Sequence, residues 1–231
     1  MKITYYGHAC FGFEINKNHI LIDPFIIGNP LAASINIDNI KADYIFVSHG
    51  HADHIGDTVE IAKKNDATVI SNFEIINWLT SKGVKHTHSM NIGGNKKFDF
   101  GKVKFFKADH SSSMPDGSPG GNPGGFIFET CEGNFYFAGD TGLTYDMKLI
   151  GEYKKIDFAM LPIGDNYTMG VDNAIIASSF INCNKIIGMH FDSFSVIKIN
   201  KNEAVQKFKN AGKELILMDI GESIELSNTK A

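Results

Sequence analysis

The stretch VSHGHADHIG, Val47 to Gly56, puts His49, His51, Asp53 and His54 within a few residues of one another. It follows DYIFV, Asp43 to Val47, an apolar run that reads as a short buried strand. In extended backbone, residues i and i+2 project to the same side, so His49 and His51 share a direction. Gly50 and Ala52 are small and let the chain turn tightly there. Asp53 and His54 fall where the loop enters a helix and face another way. Four side chains of metal-ligand type, divided into two pairs, suit two adjacent metal ions rather than one.

Each ion needs further donors, and the sequence offers them at the ends of expected strands. His110 ends VKFFKADH, Asp140 ends FYFAGD and His190 ends KIIGMH. Strand ends far apart in sequence can meet at one rim of a sandwich.

KITYY, CFGFEI and HILID read as strands, rich in β-branched and aromatic residues and closed by Gly, Asn or Pro. IGDTVEIAKKN has helical spacing, with Ile55, Val59 and Ala62 on one face. ATVI is a further strand, and NFEIINWLTSKG a helix ending at Gly83. FDF, KVKFFKA, GGFIFET and NFYFAG read as sheet strands joined by turns. DFAMLPI, VDNAIIASSFI and KIIGMHF then alternate strand, helix and strand. KNEAVQKFKNAG closes the chain as a helix before the strands ELILM and SIEL. Ser111–Gly125, SSSMPDGSPGGNPGG, is too rich in Pro and Gly for a helix or a central strand. It starts beside His110 and is expected to form a wall or lid of the pocket.

The chain of 231 residues shows no linker or low-complexity tract, and a single domain over 1–231 is expected. Its net charge of −4 carries no footprint for nucleic acid or an anionic membrane. All 22 basic residues are Lys. No guanidinium clamp is available for an anionic substrate, which leaves Lys, backbone N–H groups, His or metal. Cys10, Cys131 and Cys183 are odd in number and far apart, which points to buried thiols in a reducing compartment rather than disulfides. With no signal-peptide core and no apolar run near the ~20 residues that span a bilayer, a cytoplasmic protein is expected.

The motif H-x-H-x-D-H, with LIDP, ADHSS, FAGDTG, LPIGDNYTMG and MHF in order, resembles the metallo-β-lactamase superfamily over almost the whole chain. The later segments resemble uncharacterised metal-dependent hydrolases akin to L-ascorbate-6-phosphate lactonase. The resemblance implies an α+β fold, a four-layer αβ/βα sandwich of two mixed sheets with helices on the outer faces. It implies one metal on His49, His51 and His110 and another on Asp53, His54 and His190, with Asp140 bridging. Zn2+ is the first choice of ion, and Mn2+ or Fe2+ fit the same donors. The expected activity is hydrolysis of a small cyclic or activated ester, lactonase-like, by a hydroxide that two cations ~3.5–4 Å apart stabilise. A phosphodiesterase or ribonuclease of the same superfamily is the alternative, and a non-catalytic metal sensor or structural module the alternative of another class.

Further residues are candidates. Asp140 is assigned a catalytic role besides its ligation. His8 resembles a position near the active site and is expected to bind substrate or donate a proton. Asp23 and Asp57 could orient imidazoles or serve as turn and cap residues. Asp165, Asn166 and Thr168 could line the pocket, although relatives often show Gly where this chain has Asp165. His19, His86 and His88 read as solvated or core residues. A small-molecule substrate is the expected partner, and neither nucleic acid nor membrane is; relatives often assemble, but the sequence does not give the oligomeric state, and a homo-oligomer is left open.

Overall fold

The computed structural model describes residues 1–226. The chain opens with an antiparallel meander of β1 (Lys2–Gly7), β2 (Cys10–Ile15) and β3 (Asn18–Ile22). Three parallel strands follow, β4 (Tyr44–Phe46), β5 (Thr68–Ser71) and β6 (Thr87–Ser89). Parallel neighbours need crossovers, and these hold α1 (Ala52–Ile55), α2 (Thr58–Asn65) and α3 (Phe73–Ser81).

The second half repeats the plan. β7 (Asn95–Phe98), β8 (Gly101–Lys107), β9 (Gly124–Thr130) and β10 (Gly133–Phe137) form the meander. β11 (Phe158–Pro162), β12 (Lys185–Met189) and β13 (Glu214–Ile216) continue parallel to β10. They are linked through α4 (Met147–Tyr153), α5 (Val171–Phe180) and α6 (Lys201–Asn210). β14 (Ser223–Glu225) returns to β1, so each sheet has seven strands.

Period-two alternation assigns the layers. On β4 and just beyond it, Ile45 and Val47 join a buried cluster with Ile61 and Ala62 of α2 and Ile75 and Leu79 of α3. Phe46 points the opposite way, with its ring centroid 5.2 Å from Phe126 and 5.0 Å from Phe128 of the other sheet. The inter-sheet layer is largely aromatic: Phe128 stacks on Phe135 at 4.4 Å, and Phe13 on Phe135 at 4.7 Å. Full burial of each such ring stabilises by about 1.5–3 kcal/mol. Small residues of α5, Ala174 and Ala177, and Phe208 of α6 are buried with the second sheet. The expected four-layer sandwich is the observed architecture.

Local differences have physical causes. The helix expected from Ile55 is broken at Gly56, whose φ of −16° and ψ of −82° end α1 before α2 starts at Thr58. Only Phe98 of FDF lies in a strand; Asp99 and Phe100 form the turn into β8. Cys10 and Cys183 are buried as expected, but Cys131 is exposed at the turn between β9 and β10. The Ser111–Gly125 stretch is tied down. Ser113 and Pro119 form an antiparallel bridge, and Gly124 and Gly125 belong to β9. Asn72, which caps α3, donates from Nδ2 to the carbonyls of Gly120 (2.6 Å) and Asn122 (3.1 Å). Met114 is buried in the cluster under α2 and α3. No helix among the described residues is long and apolar enough to cross a membrane.

Strand direction sets the functional rim. β1, β3 and β4 run the same way in one sheet, as do β8, β10, β11 and β12 in the other. Their C-terminal ends are therefore followed by His8, Asp23, the Val47–Gly56 stretch, His110, Asp140, the 164–170 turn and His190. Gly139, at φ +62°, lets the sheets approach there: a Cβ would lie 2.7 Å from the Gly124 carbonyl oxygen and 2.9 Å from Ser48 Cβ.

Candidate metal centre

All seven expected ligands converge at this rim in two groups. His49 Nε2 lies 3.0 Å from His51 Nδ1, and the His110 ring stands edge-on to both, with centroids 5.2 and 5.1 Å away. Each of these three offers a nitrogen within 4.8 Å of the others. Asp53, His54 and His190 form the second group, joined by His8 within the same limit. Asp140 stands between them. Its Oδ2 lies 2.9 Å from His190 Nε2, 3.5 Å from His110 Nε2 and 4.0 Å from His49 Nε2. Its Oδ1 lies 3.3 Å from His54 Nε2.

The donors fit metal ions on two counts. Ligand nitrogens ~2.0–2.1 Å from a tetrahedral Zn2+ stand roughly 3.4 Å apart, close to these spacings. His54 Nε2, His190 Nε2 and Asp140 Oδ1 are buried without hydrogen-bond partners among the described residues. Each such orphan costs about 1–3 kcal/mol unless something else satisfies it.

Charge states point the same way. Burial, with the neighbouring His54, holds His49 well below the usual imidazole range. Burial lowers His51 and His110 as well, so their nitrogens keep lone pairs. Burial opposes the ionisation of Asp140, but His54 and His190 outweigh it and hold the carboxyl well below its usual range. Asp53 is likewise lowered against burial, chiefly by its hydrogen bond with His8. Burial would lower His54 too, yet Asp140 and Asp23 raise it well above the usual range. A cation would have to displace that proton.

The Beta-lactamase superfamily domain model matches residues 2–190. The chain belongs to this superfamily. A UPF0173 metal-dependent hydrolase of Flavobacterium johnsoniae is 57% identical over 226 residues, covering 98% of this chain and 100% of the relative. This similarity places the chain in that hydrolase family. A solved metallo hydrolase of the hyperthermophilic archaeon Ignicoccus hospitalis is 36% identical, with a TM-score of 0.87 over 98% of this chain and 99% of that one. A metallo-β-lactamase fold protein of Bacillus subtilis, 14% identical, shares the fold alone, with a TM-score of 0.75 over 97% of this chain and 99% of that one.

Within this superfamily fold, neighbours of the two groups take distinct parts. Asp23 is fully buried; its Oδ2 accepts from His54 Nδ1 (2.7 Å) and Ser48 Oγ (2.6 Å), and its Oδ1 from Ser48 N (2.7 Å). It orients an imidazole. Asp57 instead accepts from the backbone N–H groups of Ile26 (2.6 Å) and Ile27 (3.1 Å), the part of a loop-holding residue. His8 is 1% exposed, with Nε2 3.2 Å from Asp53 Oδ2 and Nδ1 2.9 Å from Ser193 Oγ. It lies behind Asp53. The half-exposed His88 and the exposed His86 stay away from the rim; His86 Nε2 lies 3.3 Å from Asp66.

The pocket over the centre has a volume of about 270 Å³ and is lined by His51, Asp53, His110, Ser111, Asp140, Tyr167 and His190. Of the Pro- and Gly-rich loop, Ser111 reaches it; the tethers on Gly120 and Asn122 hold the remainder against α3. Asp165 and Asn166 adopt left-handed φ of 62° and 60°, where Gly, Asn and Asp interchange most readily. They shape the turn, and Tyr167 meets the pocket. Ser48, Ser193 and Tyr167 carry no ligand motif of their own in the sequence. Only the position of Tyr167, in a loop following a strand that ends at the rim, could have marked it.

Proposed function

We propose that this member of a metal-dependent hydrolase family cleaves a small cyclic or activated ester, lactonase-like, with two divalent cations at the rim. His49, His51 and His110 would hold one, and Asp53, His54 and His190 the other. The observation that carries this reading is Asp140, whose carboxylate lies within 4.0 Å of donors from both groups and whose Oδ1 has no hydrogen-bond partner among the described residues. Bound there, the cations would supply Lewis acidity for activating water and stabilising charge on the substrate oxygen. Zn2+ suits the His and carboxylate donors, as do Mn2+ and Fe2+.

In the reaction, a water oxygen bonds to the carbonyl carbon and gives up a proton, the ester C–O bond breaks, and the departing oxygen takes up that proton. Asp140 sets the spacing of the two groups. Asp23 fixes the tautomer of His54, and His8 holds Asp53 in place rather than touching substrate. The pocket of about 270 Å³ favours a small molecule over a polynucleotide.

Metal analysis of protein purified without chelator, followed by a panel of lactones, activated esters and phosphodiesters, tests this. The expected result is up to two equivalents of metal and turnover of esters. Stoichiometry well below one, or turnover of phosphodiesters alone, would overturn it.

A further inference from the structure

We infer that Tyr167 is the substrate platform of this pocket, and that the site selects a small uncharged ester carrying a flat aromatic face beside the reacting carbonyl. This selectivity presupposes the hydrolase reading above and adds a substrate class to it. Tyr167 stands on a built turn. Gly164 and Gly170 pair across its base, and Asp165 N donates to the Met169 carbonyl at 3.1 Å. Tyr167 N donates to the Asp165 carbonyl at 2.6 Å.

The base is anchored to the rim on both sides. Met169 is 1% exposed, and its N–H donates at 3.0 Å to the carbonyl of Thr141, the neighbour of Asp140. Gly164 packs so closely on the His190 carbonyl that a Cβ there would collide with it. Two successive left-handed residues, Asp165 and Asn166, then lift the tip outward. Asp and Asn enter this region more readily than other residues with a side chain, so the turn is written into the sequence. The product of this construction is a tyrosine that lines the pocket and is 56% exposed as a residue.

A Tyr ring buries about 150–250 Å² when covered and prefers an offset or edge-on aromatic partner. A ligand seated over the centre is in place to cover it. None of the lining residues is Lys, and the chain has no Arg. In the hydrolase reading Asp53 and Asp140 are taken up as ligands and the cations would sit at the reacting carbonyl. A phosphate or carboxylate turned away from them would find no basic side chain in the lining, so the substrate is uncharged there. The volume of about 270 Å³ holds one or two fused rings.

The experiment compares dihydrocoumarin with δ-valerolactone on metal-loaded wild type, Tyr167→Ala and Tyr167→Phe. The change on substitution is read, because a phenyl ester is intrinsically the more reactive. Tyr167→Ala should raise KM for dihydrocoumarin about tenfold, the scale of a lost aromatic contact plus its burial, and leave δ-valerolactone within about twofold. Tyr167→Phe should retain wild-type KM. Saturation-transfer NMR with 2-tetralone, which cannot be hydrolysed, gives a readout free of turnover: contact in wild type, and its loss in Tyr167→Ala. Equal effects on both lactones, or no effect on either, would overturn the platform while leaving ester hydrolysis standing. Tyr167-dependent binding of 2-tetralone without turnover of any ester would sustain the platform and remove the hydrolase reading. Neither binding nor turnover would overturn both.

Discussion

Replacing Asp23 by Asn separates metal affinity from folding. Asp23 Oδ2 accepts from His54 Nδ1 at 2.7 Å, which keeps a proton on Nδ1, so that Nε2, facing Asp140, is the nitrogen that gives up its proton to a cation. An amide of the same shape can still accept from Ser48 N through its oxygen, but it turns an NH2 toward His54. Nδ1 must then accept, the proton moves to Nε2, and the lone pair that would hold the ion is gone. Loss of such an outer partner lowers metal affinity about 10–100-fold, or ~1.4–2.7 kcal/mol. The effect on the fold is smaller. Burial pushes the Asp23 carboxyl up against the pull of His54 and Ser48. A neutral side chain therefore recovers desolvation energy while losing charge-assisted hydrogen bonds, and the net loss is about 1 kcal/mol. Zn2+ titration against a chromogenic chelator gives the affinities, and urea unfolding of the metal-free protein gives the stability. Asp23→Asn that binds two equivalents at wild-type affinity would refute the tautomer argument.

Three further outcomes follow from the same geometry. Asp140→Ala removes a carboxylate shared by two groups of donors, so at least one equivalent of metal and most activity should be lost; two retained metals and full rate would contradict the assignment. Burial lowers His8 from 6.5 to about 4. The unfolded chain therefore takes up this proton first, and the metal-free protein loses stability as pH falls from 6.5 to 4, with no further loss from this group below that. This group's full contribution is on the order of 3 kcal/mol; because His49, His51 and His110 are lowered in the same sense, urea midpoints across that range should fall more steeply in wild type than in His8→Gln, and equal slopes would refute the contribution. Trp78, the single Trp, donates from Nε1 to Asp116 Oδ2 at 2.6 Å, so Asp116→Ala should alter tryptophan emission and leave metal content unchanged; unmoved emission would mean that this tether is not formed.

Much of this architecture was legible because strands and ligands carry strong local signals. Phe46 between Ile45 and Val47 gives no alternation of polarity, yet both faces are buried, as a continuous apolar run implies. The elements missed are those whose residues face solvent. β7 has Asn95, Lys96 and Lys97 exposed and only Phe98 buried, the composition of a protected sheet edge. β6 is three residues long with no side chain fully buried. α4 buries only Met147 and Ile150 and contains Gly151, which reads as a helix breaker. That glycine is needed for packing, since a Cβ would lie 2.8 Å from Asn182 Nδ2 and 2.9 Å from the Ile181 carbonyl carbon. At the site, donor identity was legible and contact was not. Asp23 and Asp57 look alike in sequence, and only tertiary structure gives one an imidazole and the other two backbone N–H groups. The Ser111–Gly125 loop reads as a wall or lid because it follows His110, and nothing local announces that Asn72 and Trp78 hold it.

The backbone at the rim explains how strand ends become a centre. His8, Asp23 and His190 immediately follow β1, β3 and β12, and all three adopt left-handed φ, at 57°, 45° and 55°. For residues other than Gly this conformation costs on the order of 1–3 kcal/mol each. Hydrogen bonds hold it in place. His190 N donates to the His8 carbonyl at 2.8 Å, and Tyr5 Oη donates to that same oxygen at 3.1 Å. Asp23 N donates to the Phe46 carbonyl at 2.9 Å, continuing the pairing of β3 with β4 beyond the strand end. The three side chains are buried, at 1%, 0% and 1% exposure, where a strand running straight on would carry them out past the sheet edge. The bend, the bonds across the sandwich and the unpartnered atoms of His54, His190 and Asp140 thus belong to one arrangement. The fold holds strained backbone to aim donors whose polar atoms are left short of hydrogen-bond partners among the described residues, which is the form a site takes when a cation, rather than another side chain, completes it.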